Sequence, residues 1–503
     1  MDGGGGSGGS VTAGNTAAGS TVGGGSMGGA SQGGGGASQA GTSQGGAIVA
    51  VGNGELDTTC MMRTSNQIAG SRIVLRNAVT AEGDKAFIGF YDNEKKAECQ
   101  VTQDADSKFR CMPPALDKDL VNRFYLDDKC ASEVEYHGVC ALAYEAEPIS
   151  SDSCDKRRRI FPFGDPLPDS MVYQPGPDGQ CKPYGMLNNL YQRGPDLVPS
   201  DYAELQPVVW RGKGRIWAQG YQGDGDLHLV SSFLDSQLDQ DCTFRLLTDG
   251  KEHCVPQNEG SLQRYTDVTC NQTLLDTAST CGAPPASYAS HWLGDVCNPG
   301  VSFVEADAKY SGPLYGRSSC MAMATSTSAS VFSVKTASDD AFPALDSTTL
   351  TTDAGRLKPM YLSAADGGCF FQGWWDDQLQ TPCSFESQYA GAPYYCLPIS
   401  DATSPASVVR TFSDSNCMVD APVVRMPSCN AAKPPKFCAI SAPACTGGWR
   451  SVRPVDATPA ALPPLWSNAT GTCLPYTPDT GATYYATGAI IPTTMFVAAT
   501  PEP

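Results

Sequence analysis

The chain has little of what metal and acid–base chemistry usually draws on. Among 503 residues there are only 4 histidines, and none of His137, His228, His253 and His291 falls in an H-E-x-x-H or His-x-His spacing. Charged residues make up 17% and lean acidic, 53 against 34, for a formal net charge of −19. Such a surface repels phosphate backbones, which argues against nucleic acid as a partner. Apolar runs such as Ala47–Val51 are far too short to span a bilayer, so no transmembrane segment is expected. No EF-hand spacing is present, and a calcium site would rest on composition alone. No other cofactor is indicated. The opening Met1-Asp2-Gly3-Gly4 has neither the basic nor the apolar part of an export leader.

Cysteine, by contrast, is abundant. There are 21, with no C-x-x-C pair and too few histidines to complete zinc spheres, so disulfides in an oxidising compartment are the expected reading. That places the protein outside the cell, on the outer surface or in the periplasm, with its export signal missing from the sequence. Residues 1–55 are low in complexity, with 20 glycines and a single charge, Asp2, among the first 50. They cannot bury enough apolar area to offset their ordering entropy and read as a flexible tether with a reach of about 40 Å, followed by a linker over 56–71. Gly24-Gly25-Ser26-Met27-Gly28 matches G-x-S-x-G only formally, because a nucleophile elbow needs a strand before it and a helix after it.

The body is one pattern written three times, with starts at Arg72, Arg215 and Arg356. An aspartate follows 20 residues on (Asp92, Asp235, Asp376), preceded two positions earlier by an aromatic (Phe90, Phe233, Trp374). Next come a cysteine (Cys99, Cys242, Cys383), a Cys-x-Pro (Cys111, Cys254, Cys396) and an aromatic-x-Asp-x-x-Cys ending at Cys130, Cys270 and Cys417. Three further cysteines close each unit: Cys140, Cys154 and Cys181; Cys281, Cys297 and Cys320; Cys429, Cys445 and Cys473. The units are expected at 72–210, 211–352 and 353–503. Six cysteines each are closed by parity, with sequential pairing as the simplest of fifteen connectivities. Unit three adds Cys369 and Cys438, expected to pair with each other, which leaves Cys60 unpaired.

Glu82-Gly83-Asp84 and Thr248-Asp249-Gly250 are hairpin turns between strand-like runs. With 37 prolines and no sustained 3.6-residue apolar period, the expected class is all-β. The units either stand as separate domains or close into a ring of two four-stranded blades each, a six-bladed propeller, which removes sheet edges. The ring is favoured, with Leu190-Tyr191, Val331-Phe332 and Tyr484-Tyr485 as the strands pairing with neighbouring units.

The string of Arg-Ile/Leu, Gly-Phe/Trp-x-Asp, Cys-x-Pro and Tyr-x-Asp-x-x-Cys behind a Gly/Ser-rich tether resembles cysteine-rich secreted proteins and lipoproteins of the myxobacterial envelope. The likeness covers about residues 72–500. Unit two departs from it with Ser232 in place of Gly89 and Gly373, and with Ser302 where the others have Arg159 and Arg450. The resemblance implies an envelope location and no mechanism.

A residue that recurs in every unit does what every unit needs, so the two aspartate sets, Asp92/Asp235/Asp376 and Asp127/Asp267/Asp414, read as acceptors for turn amides. The Lys156-Arg157-Arg158-Arg159 run reads as a solvated strand face. Aromatics concentrate in unit three, and neighbours in a strand point to opposite faces. If Trp374 is core, Trp375 faces outward, where a flat ring can stack on a sugar or anchor a partner. Trp375, Trp449, Trp466 and Tyr394 are therefore the candidate ligand contacts. The leading functional expectation is a secreted or surface-tethered binding or structural protein with a polysaccharide or envelope-protein partner and no catalytic residues. The alternative is a secreted polysaccharide hydrolase using carboxylates at a ring centre. Asn271 and Asn468 head N-x-T sequons.

Overall fold

The computed structural model describes residues 65–502, except 118–122, 137–142, 151, 153, 177–178, 213, 258, 278–286, 292–300, 317–319, 324–330, 350–354, 388–392, 400–406, 428–433, 442–448 and 469–471. The chain is all-β, and the helical turns among the described residues are short 3-10 segments. Unit one supplies β1 (Ile73–Thr80), β2 (Lys85–Asp92), β3 (Ala97–Gln103), β4 (Phe109–Met112) and, after a long excursion, β5 (Glu204–Trp210). Unit two supplies β6 (Ile216–Gln222), β7 (His228–Asp235), β8 (Gln240–Leu246), β9 (Glu252–Pro256) and β10 (Ala344–Thr349). Unit three supplies β11 (Leu357–Ala364), β12 (Cys369–Asp376), β13 (Thr381–Ser387), β14 (Tyr394–Pro398) and β15 (Ala498–Pro501). Each strand pairs with the next, and β15 returns to β1, so the order closes on itself.

The expected grouping into two four-stranded blades per unit gives way to five strands per unit in one continuous cycle. The segment between the fourth and fifth strands instead folds outside the cycle. Among the described residues it forms an eight-stranded sheet in unit one, a seven-stranded one in unit two, and sheets of three, two and two strands in unit three. The stretches expected to join neighbouring units belong to these outer sheets. Leu190 pairs with Tyr136 and Leu167, Val331 with Asp276, and Tyr484 with Arg425. The units are joined instead by the fifth strands, as where Val208 of β5 lies opposite Gly220 of β6.

Separate domains are excluded by the core. Around Cys99–Cys111 pack Ile73 and Leu205 together with Leu227 and Leu229 of unit two. Around Cys242–Cys254 pack Ile216 and Leu345 with Leu362 and Phe370 of unit three. Around Cys383–Cys396 pack Leu357 and Trp374 with Ala78 and Ala86 of unit one. Each unit thus lends its first hairpin to the preceding unit's core, in a cycle.

A polar cycle runs beside it. The Arg72 N–H donates to the Asp224 carboxylate (2.7 Å), the Arg215 N–H to Asp366 (2.6 Å) and the Arg356 N–H to Glu82 (3.1 Å). Each acceptor sits in the next unit's first turn. A Cβ at Gly214 would run into the Asp366 carboxylate and push it off the Arg215 N–H.

Three disulfides link the first and second cysteines of their units as expected. The third pairs with the sixth, not the fourth: Cys130–Cys181, Cys270–Cys320 and Cys417–Cys473. Cys438 is a buried free thiol, whereas Cys369 and Cys154 are disulfide-bonded, so the expected Cys369–Cys438 bridge is absent. Cys60, Cys140, Cys281, Cys297, Cys429 and Cys445 lie outside the described residues, as does the 1–55 tether.

Candidate functional site

The recurrent carboxylates come first because the sequence marks them most strongly. Asp92, Asp235 and Asp376 end the second strand of each unit, and each receives its unit's opening arginine side-on. The Arg215 Nε and Nη2 donate to the two oxygens of Asp235 at 2.7 Å each, and the Arg356 pair is alike at 2.8 and 2.7 Å. Arg72 reaches Asp92 at 2.9–3.1 Å. One oxygen of each aspartate also accepts two turn amides: Glu94 and Lys95, Gln237 and Leu238, Gln378 and Leu379. The arginine meanwhile donates to a carbonyl in the 3-10 turn that leads into the fifth strand, at Asp201, Ala341 or Met495. Burial pushes the Asp92 carboxyl up, but Arg72 and the Lys95 and Glu94 amides outweigh it and hold the group below its ordinary range. These are threefold clamps that tie the start, middle and end of every unit. Their oxygens are fully engaged.

The second set is a turn device at the outer ends. Asp127 accepts the amides of Lys129, Ala131 and Ser132 at 2.9, 3.1 and 2.6 Å. Hydrogen bonds from Ser132 and the Ala131 amide hold its carboxyl down to about 2. Asp414 accepts Asn416, Met418 and Val419 in the same way, and Asp267 accepts Thr269. The cysteine three residues on takes a positive φ in each unit, 52° at Cys130 and 53° at Cys270 and Cys417, so the turn points its sulfur back at the closing cysteine. A small Asx turn and a disulfide together fix each tip.

Those tips are what sequence reasoning missed. On both sides of each outer disulfide, apolar side chains face solvent: Leu126, Tyr184 and Met186 in unit one, Val268, Met321 and Met323 in unit two, Met418, Val419 and Leu474 in unit three. The exposures are large, 59% for Tyr184, 62% for Met186, 68% for Met321 and 80% for Met418. Tyr184 rests edge-on against Phe124 at 5.0 Å, and Met186 lies directly across the strand pair from Met171. The signal available in the sequence was the apolar residue that follows or nearly follows the sixth cysteine, as in Cys320-Met321 and Cys473-Leu474.

The aromatic candidates do not converge. Trp374 is core, and Trp375, on the opposite face, is half-buried between Lys358 and Pro382, with its indole N–H donating to Asp377 (3.2 Å). Tyr394 packs against the cluster that holds Trp374 and Phe385. Trp466 sits in an outer sheet, exchanging main-chain hydrogen bonds with Phe412 at 2.9 Å each way. The strand Trp449–Pro454 pairs with Phe437–Ser441, and the Trp449 side chain lies outside the described part.

The basic run is less solvated than expected. Arg157 pairs with Asp155, while Arg159 and Arg193 converge at 3.0 and 2.9 Å on the fully buried Glu147, which Arg123 also contacts. Burial raises the Glu147 carboxyl, but Arg193 and then Arg123 outweigh it and hold the group low. Among the histidines, His253 is buried, with Nδ1 3.0 Å from the Phe342 carbonyl and Nε2 2.9 Å from Asp249. The equivalent residue in unit one, Arg110, spans Asp104 and the Tyr202 carbonyl in the same way. Both brace a hairpin turn.

No helix among the described residues is long and apolar enough to cross a membrane. Among known proteins, the model of a family of unknown function, DUF7481, matches residues 189–496, more than half of the chain. No curated protein and no solved structure matches.

Proposed function

The chain belongs to DUF7481, a family of unknown function, and we propose that it is a secreted or surface-tethered protein that binds an envelope protein through its disulfide-braced tips. One observation carries this reading: the polar groups repeated in all three units are engaged in holding the fold, whereas nine of the fifteen exposed large apolar side chains among the described residues lie within five residues of the three outer disulfides. Apolar side chains on a rigid support dock with little ordering cost, and three tips on one frame add avidity to individually weak contacts. Methionine, valine and leucine favour a protein surface over a sugar, which stacks on flat rings. The disulfides support an oxidising compartment.

The test replaces Tyr184, Met321 and Met418 by aspartate together and measures retention on the producing organism's envelope proteins. The substitutions lie at exposed positions, so the thermal midpoint should stay within a few degrees while retention falls by at least tenfold. Unchanged retention of a folded triple variant removes the tips from the account. Retention lost on glycan arrays, but not on envelope protein, makes the partner a polysaccharide.

A further inference from the structure

The second strand of every unit has one edge only partly covered. It pairs with the first strand over its length, but with the third strand only through its last three residues: Phe90–Asp92, Phe233–Asp235 and Trp374–Asp376. The earlier half leaves main-chain groups pointing away from the first strand. In units two and three these groups hold carboxamides. The Val230 N–H donates to Gln67 Oε1 (2.6 Å), and Gln67 Nε2 donates back to the Val230 carbonyl (3.0 Å). The Phe371 N–H donates to Asn66 Oδ1 (3.1 Å), and Asn66 Nδ2 donates to the Phe371 carbonyl (3.4 Å). One donor and one acceptor on a single residue read one donor and one acceptor on a primary amide, as a neighbouring strand would be read. Asn66 and Gln67 are consecutive, so two half-edges flank one extended segment, which Ile68 continues by pairing with His228.

Unit one repeats the geometry at Phe87. Val230 lies opposite Gly220 and Phe371 opposite Tyr361, each beside a break in strand register, and Phe87 lies opposite Asn77 beside the same break. A second observation fixes the direction. The Asn77 carbonyl accepts the Glu502 N–H at 2.7 Å from the side of β15, so Asn77 turns its main chain away from β2. Opposed residues that do not bond each other alternate with those that do. The Phe87 N–H and C=O therefore face the open half-edge. Among the described residues no carboxamide occupies it, and Phe87 and Ile88 are part-exposed.

We propose that the Phe87 half-edge is a binding slot for a primary carboxamide, the side chain of a glutamine or asparagine on a partner polypeptide. Two identical slots filled by the protein's own Asn66 and Gln67 specify the ligand chemistry. A carboxylate of the same shape offers only acceptors and leaves the Phe87 carbonyl unmatched. The slot is separate from the apolar tips and stands whether or not they bind.

Amide hydrogen exchange of the full chain, read residue by residue, tests it. The Phe87 amide should exchange roughly 100-fold faster than those of Val230 and Phe371. N-acetylglutamine N-methylamide at millimolar concentration should slow it, and N-acetylglutamate N-methylamide, which has no primary carboxamide, should not. In Asn66→Ala/Gln67→Ala, the Val230 and Phe371 amides should join the fast, carboxamide-sensitive class. Protection of Phe87 equal to that of Val230 in the unaltered protein overturns the proposal without any variant having to fold. So does fast exchange indifferent to the carboxamide, or slowed equally by the glutamate compound.

Discussion

Asp235→Ala is the sharpest perturbation of the clamp that recurs in all three units. Asp235 is 1% exposed and receives the Arg215 guanidinium through two hydrogen bonds of 2.7 Å, plus the amides of Gln237 (3.0 Å) and Leu238 (3.3 Å). Truncation leaves a largely buried guanidinium without a counter-charge and two turn amides without an acceptor. Breaking one partner out of such a pair costs about 3–5 kcal/mol. Asp235→Asn keeps an oxygen for the amides but loses the charge, and should cost about 1–3 kcal/mol. The double variant Arg215→Met/Asp235→Leu separates the net worth of the pair from the penalty of orphaning one half. It removes both charges, leaves the Ala341 carbonyl and the two amides unmatched, and should be less destabilised than Asp235→Ala. Urea unfolding with the disulfides intact, followed by tryptophan fluorescence, measures all three. Asp376→Ala should match Asp235→Ala, since their partners correspond, and Asp92→Ala should cost less, because Arg72 keeps Glu94 at 2.7 Å. A loss below about 1 kcal/mol for Asp235→Ala, or a double variant more destabilised than Asp235→Ala, refutes the clamp.

Two further outcomes follow from buried titratable groups. Burial pushes the Glu386 carboxyl up to about 7, against an ordinary 4.5, with the Ser384 hydroxyl only partly opposing it. A raised carboxyl binds its proton more tightly folded than unfolded, so its contribution is complete below about 4.5 and is lost as pH rises through about 7. Stability should fall by about 3 kcal/mol over that window, and Glu386→Gln should flatten the slope; equal slopes in both proteins reject the assignment. Burial likewise lifts the Cys438 thiol up to about 11. It should resist alkylation in the folded protein and give one free thiol on unfolding without reductant. Peptide mapping should find Cys154 and Cys369 each in a disulfide and neither joined to Cys438. A Cys369–Cys438 bridge contradicts this.

What could be read from the sequence is what every unit must do for itself. The arginine and the aspartate 20 residues on recur because one grips the other, and the first cysteine pair recurs because its two strands are neighbours in a hairpin. The turn glycines at Gly83 and Gly250 were legible because only glycine takes their positive φ, 92° and 82°, without strain. The third-to-sixth pairing was not legible, since 50 to 56 residues separate the cysteines and only the folded outer sheets bring them together. Leu190-Tyr191 and its counterparts have strand chemistry, but which sheet they enter is decided by register with residues more than fifty positions away, as with Leu190 and Tyr136. The apolar tips were hidden for a different reason. An exposed methionine beside a cysteine has no periodicity to mark it, and only the folded structure tells it from core.

The division of labour follows from how the cycle closes. No unit completes its own core, because Leu227 and Leu229 fill unit one, Phe370 fills unit two and Ala86 fills unit three. A change at such a position is felt in two units, which ties the three cycle modules to nearly the same length: the opening arginine and the Cys-x-Pro cysteine stand 39, 39 and 40 residues apart. The outer segments carry no such tie. Each leaves the cycle after its Cys-x-Pro and re-enters at a 3-10 turn held by the arginine clamp, so whatever lies between can vary while both ends stay fixed. Among the described residues, sheets of eight strands, of seven, and of three, two and two strands stand on one frame. A surface built there can change without unsettling the cycle: among the described residues the exposed large apolar side chains lie on the outer segments and the recurrent polar clamps on the cycle.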